Sequence, residues 1–88
     1  MASLPFTVVN VLRHIERLKP EPLDVLETIQ ASGWGLAALR HCLVSLEGAG
    51  IVRFLGGDRW ELVGKRTDAR TAVEAARRAG IDVDRVRK

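Results

Sequence analysis

Leu46-Glu47-Gly48-Ala49-Gly50-Ile51-Val52 is the stretch at which the chain changes its period. On its N-terminal side Leu39, Leu43 and Leu46 recur at steps of three and four, the spacing of one helix face. On its C-terminal side Ile51-Val52-Arg53-Phe54-Leu55 and Arg59-Trp60-Glu61-Leu62-Val63 are short β-rich runs separated by Gly56-Gly57-Asp58. Two such runs around a glycine turn predict a β-hairpin. Gly50 suits the junction because a residue without Cβ tolerates a positive φ.

Working back from this junction, the helix before it is expected over Leu36 to Gly48, preceded by Ser32-Gly33-Trp34-Gly35. Gly33 there can supply the left-handed residue that ends a helix and turns the chain. A shorter helix is expected from Pro22 to Ala31, with Leu23, Leu26 and Ile29 on one side. Lys19-Pro20-Glu21-Pro22 separates it from a first helix over Phe6 to Leu18, since proline lacks an amide donor and constrains the residue before it. In that first helix Val8, Val11, Leu12, Ile15 and Leu18 make one apolar stripe, and Arg13, Glu16 and Arg17 face outward.

Working forward, the alanine- and arginine-rich stretch Thr67 to Ala79 is helix-prone and ends at Gly80. Its narrow stripe of Ala69, Ala72, Val73 and Ala76 can pack on the core or on a second subunit. The chain therefore reads as mainly α with a small β-hairpin, an α+β class, divided into a core over residues 1–64 and a basic C-terminal helix and tail over residues 65–88.

The order helix, helix, glycine turn, helix, hairpin resembles the winged helix-turn-helix fold of bacterial and archaeal transcription regulators, over roughly residues 6–63. The stretch 46–52 looks like that family's junction of recognition helix and wing. Counting back without gaps, Leu43 and Leu39 fall on its buried recognition-helix positions, Gly33 on its turn glycine and Trp34 on the apolar residue that follows. The resemblance implies a three-helix core with a wing, a recognition helix over 36–48, a wing over 51–63, and binding of double-stranded DNA in transcription regulation. It also implies a homodimer, because symmetric regulators read paired half-sites.

At the start of the recognition helix, where the family places polar side chains, this chain has Gly35, Leu36, Ala37 and Ala38, none able to hydrogen-bond a base edge. The DNA-contacting candidates are instead Arg40, His41 and Ser45 on the helix, Arg53 and Arg59 on the hairpin, and Lys65, Arg66 and Arg70 beyond it. For Arg53 and Arg59, contact with DNA competes with ion pairs to Asp58 or Glu61. The bare Leu36-Ala37-Ala38 surface supports an alternative, a protein-protein interaction module within a larger nucleic-acid-processing or sorting assembly.

Charge is unevenly spread along the 88 residues. Residues 1–63 hold six Lys/Arg against seven Asp/Glu, a net of −1, whereas residues 64–88 hold eight against four, a net of +4. The basic segment could supply the salt-sensitive attraction to phosphate that the rest lacks. Hydrophobic residues are 47% of the chain and charged residues 28%, a balance that favours a packed core over disorder. Trp34 and Trp60 are expected in that core, and the single cysteine, Cys42, as a small buried thiol, since Cys42, His14 and His41 match no metal-ligand spacing. No intramolecular disulfide is possible, no apolar run approaches membrane-spanning length and no leader is evident, so a cytoplasmic protein is expected. No phosphate loop, nucleophile elbow or paired carboxylates point to an enzyme or to a cofactor.

Overall fold

The computed structural model describes residues 4–64 and 68–85. They form four helices and a three-stranded antiparallel sheet, in the order α1 (Val8–Leu18), β1 (Leu23–Asp24), α2 (Val25–Ser32), α3 (Leu36–Gly48), β2 (Val52–Gly56), β3 (Arg59–Leu62) and α4 (Ala69–Arg78). The α+β class follows the sequence, with one strand more than the expected hairpin.

Helix α1 starts where the Thr7 hydroxyl accepts a hydrogen bond from the Asn10 amide at 3.1 Å, satisfying one of the free N–H groups of the first turn. Its stripe of Val8, Val11, Leu12 and Ile15 is buried. Leu18 is only partly covered, because the chain leaves the helix there.

The second helix begins later than its expected start at Pro22. Leu23 and Asp24 pair instead with Trp60 and Arg59 as strand β1, at one edge of a sheet ordered β1-β3-β2. Asp24 then caps α2, its carboxylate accepting from the Glu27 amide at 3.2 Å. The helix consequently buries Val25 and Thr28, while Leu26, expected on the inner side with Leu23 and Ile29, is 53% exposed. Gly33 ends α2 with φ 77°, its amide bonded to the Ile29 carbonyl at 2.9 Å.

Helix α3 occupies the expected span and buries Leu39, Cys42, Leu43 and Leu46. Trp34, just before it, is buried edge-on to Phe6 at 5.5 Å between ring centroids, with its indole N–H donating to the Leu4 carbonyl at 2.9 Å. After Gly50 (φ 77°), strands β2 and β3 pair with Val52 opposite Leu62, Arg53 opposite Glu61 and Phe54 opposite Trp60. The register then shifts between Phe54 and Gly56. The hairpin turn does not project freely, since the Asp58 carbonyl accepts from the Val25 amide at 3.0 Å and anchors the turn to the start of α2.

The C-terminal stripe, for which core and second subunit were both open from sequence, packs on the core. Ala69, Ala72, Val73 and Ala76 are buried in the same cluster as the α1 stripe, and α1 is the main neighbour of α4. The Glu16 carboxylate of α1 also accepts the Ala69 amide at 2.8 Å and so caps α4 across 53 residues of sequence. Beyond α4, Val83 is buried and its carbonyl accepts the Val9 amide at 3.2 Å.

Candidate nucleic-acid interface

On α3 the inward positions leave two outward rows, Leu36-Arg40-Val44 and Ala37-His41-Ser45, each stepping by four residues. Ala38 does not join them, being partly buried against the core, so the apolar start of the helix offers Leu36 and Ala37 to a partner. Val44, which sequence reasoning passed over, is 56% exposed. Its place one turn after Arg40 was the available signal.

Arg40 reaches across to the hairpin turn, donating from Nη2 to Asp58 Oδ2 at 2.8 Å. Arg53 pairs with the Glu61 carboxylate directly opposite on β3. Arg59 lines a groove of about 460 Å³ together with Glu21, Asp24 and Glu27, in acidic surroundings. His41 and Ser45 are exposed on α3. Across α3 and the hairpin, Arg40, Arg53 and Arg59 are matched in number by Glu47, Asp58 and Glu61, so the formal charge of this face cancels when His41 is neutral. Large apolar side chains are exposed on it beside these charges, with Leu36 at 37%, Phe54 at 47% and Leu55 at 42%.

Arg70 lies elsewhere, on α4, beside Arg13 and Arg17 of α1 in an open groove of about 870 Å³. The structure therefore divides the candidate DNA-contacting residues between two surfaces, α3 with the hairpin and α1 with α4. Lys65 and Arg66 lie outside the described residues. Sequence reasoning noted Arg13 and Arg17 only as outward-facing, because nothing local in the sequence reveals that α4 packs alongside them.

His14 and Asp68 titrate away from their ordinary values. Burial, and then the nearby Arg17 guanidinium, push His14 below the ordinary 6.5. The hydrogen bond from the Thr71 amide, first among several causes, holds the Asp68 carboxyl below its ordinary range. Among the described residues no group of three His, Cys, Asp or Glu side chains is placed to hold a metal ion, and Cys42 is buried. Among the described residues no helix is long and apolar enough to cross a membrane. Comparison with protein-family models, with curated proteins and with solved structures finds no match.

Proposed function

We propose that the chain is a winged helix-turn-helix domain that binds duplex DNA as a transcription regulator. The reading is carried by one observation, the sequence of elements α1-β1-α2-α3-β2-β3 with β3 between β1 and β2, in which a left-handed Gly33 links α2 to an α3 whose outward row Ala37-His41-Ser45 is exposed. In such a domain the helix after the turn enters the major groove. Arg40, His41 and Ser45 are the polar groups α3 would bring to it. A homodimer reading two half-sites belongs to the same proposal.

Fluorescence anisotropy with a random-sequence duplex across a salt series tests it. Affinity is expected to fall as salt rises, with a slope of about −0.9 for each phosphate contacted. Absence of binding at low salt removes the reading.

The cancelled charge and exposed Leu36 and Val44 of α3 favour a second reading, a winged-helix module that docks on a protein. An Ala37→Glu substitution distinguishes the two when set against Arg40→Ala. Loss of a co-purifying protein in Ala37→Glu, with DNA affinity unaltered in Arg40→Ala, selects the protein-docking reading.

A further inference from the structure

In formal charge the groove between α1 and α4 is balanced like the α3 surface, with Arg13, Arg17, Arg70 and Arg77 against Glu16, Asp68, Glu74 and Asp84, but its charges are paired differently. Its carboxylates are all engaged: Glu16 accepts the Ala69 amide, Asp68 accepts the Thr71 amide at 2.7 Å, and Asp84 takes Arg77 at 3.1 Å with Glu74 on the same guanidinium at 3.9 Å. By contrast Arg13, Arg17 and Arg70 line the groove with no carboxylate oxygen within 4.0 Å among the described residues. Arg70 is near enough to Asp68 to favour its ionised form without forming an ion pair.

An arginine carries five N–H donors and no acceptor, so three unpaired guanidiniums around one groove ask for a ligand rich in anionic oxygens. Arg13 and Arg17 are one turn apart, about 6 Å along α1, and Arg70 approaches from a different helix. That spread suits an extended polyanion rather than one small anion. On α3 and the hairpin, by comparison, a phosphate must displace Asp58 from Arg40 or Glu61 from Arg53, while Arg59, without an ion pair, stands in a groove lined by Glu21, Asp24 and Glu27.

We infer that the groove between α1 and α4 is a second contact surface for the phosphodiester backbone of nucleic acid, separate from α3, with Arg13, Arg17 and Arg70 as its phosphate-binding residues. The inference rests on the DNA-binding reading and adds to it which guanidiniums can take a phosphate without first giving up a carboxylate. All three side chains are exposed and lie away from the buried stripes, so their replacement leaves the core intact.

The test is the salt dependence of random-duplex binding for the full chain and for Arg13→Gln/Arg17→Gln/Arg70→Gln, both checked for an unaltered thermal melt. The variant is expected to lose about 0.9 of slope per arginine, about 2.7 for three, which is about 40-fold less loss of affinity between 50 and 200 mM salt. The matching triple lysine variant keeps the charge and is expected to retain most of the slope. If the parent binds DNA and the glutamine variant shows the parent's slope, the inference fails while the DNA-binding reading stands. If the parent binds no DNA, both fail. If polyglutamate binds the parent and not the glutamine variant, with duplex binding equal in both, the groove belongs to an acidic polypeptide and the inference is overturned.

Discussion

The guanidinium of Arg40, in the first half of α3, is hydrogen-bonded to the carboxylate of Asp58 in the hairpin turn at 2.8 Å. The bond joins the helix that would read a groove to the turn that would serve as a wing. Both side chains remain partly exposed, so the pair contributes at most about 1 kcal/mol to stability. Its larger effect is to occupy Arg40.

Replacing Asp58 by Asn removes the competing charge and keeps a residue that tolerates the left-handed backbone at position 58, where φ is 60°. Asp58→Asn is expected to tighten duplex DNA binding, and Arg40→Ala to weaken it, with melting temperatures close to the parent's in both. Anisotropy titrations at one fixed salt concentration read the difference. Equal affinity in all three proteins would remove Arg40 from the DNA surface.

Helix α4 is part of the core that holds α1, so deleting residues 65–88 is expected to abolish the cooperative thermal transition. Loss of the basic charge alone would leave that transition in place. Ala76, fully buried against the core, provides the point-mutant version. Ala76→Asp buries an unpaired charge or forces the helix off α1, and is expected to cost more than about 3 kcal/mol. Circular dichroism melts decide, and a truncated chain that melts like the parent would show α4 to be dispensable.

The two tryptophans are buried alike but differ in their indole N–H. Trp34 donates to the Leu4 carbonyl, whereas Trp60 Nε1 is buried without a partner among the described residues. An unsatisfied buried donor costs about 1–3 kcal/mol, which Trp60→Phe recovers against the loss of packing volume. Trp60→Phe is therefore expected to destabilise less than Trp34→Phe. Chemical denaturation of both variants measures it, and the reverse order would mean that the Trp60 N–H is satisfied, for instance by an ordered water.

His14 predicts an acid sensitivity of defined sign. Its pKa is lowered in the folded chain, so the unfolded chain binds more protons as the pH falls below 6.5. The corresponding stability is present in full above about pH 6.5 and declines as pH falls toward the lowered value, below which it changes no further. Melting temperatures at pH 7.5 and 5.5 should differ less in His14→Gln than in the parent. An identical pH dependence in the two proteins would exclude His14 as the source.

The sequence by itself determined what short-range physics controls. The steps of three and four define α1 and α3, the glycines at 33 and 50 mark the left-handed turns, and the glycine-separated β runs define the hairpin. Only the tertiary structure decided the rest. Leu23 and Asp24 carry no strand signal in so short a stretch, and form β1 because the edge of β3 supplies hydrogen-bonding partners 35 or more positions away. That pairing shortens α2 from its N-terminus and moves Leu26 to the surface. The state of each arginine was equally hidden, since Arg40 meets Asp58 across 18 residues and Arg70 joins Arg13 and Arg17 because α4 packs on α1, where Glu16 caps it across 53. Periodicity reports which face of an element is apolar. Which charges are neutralised depends on long-range contacts made only once the chain has closed on itself.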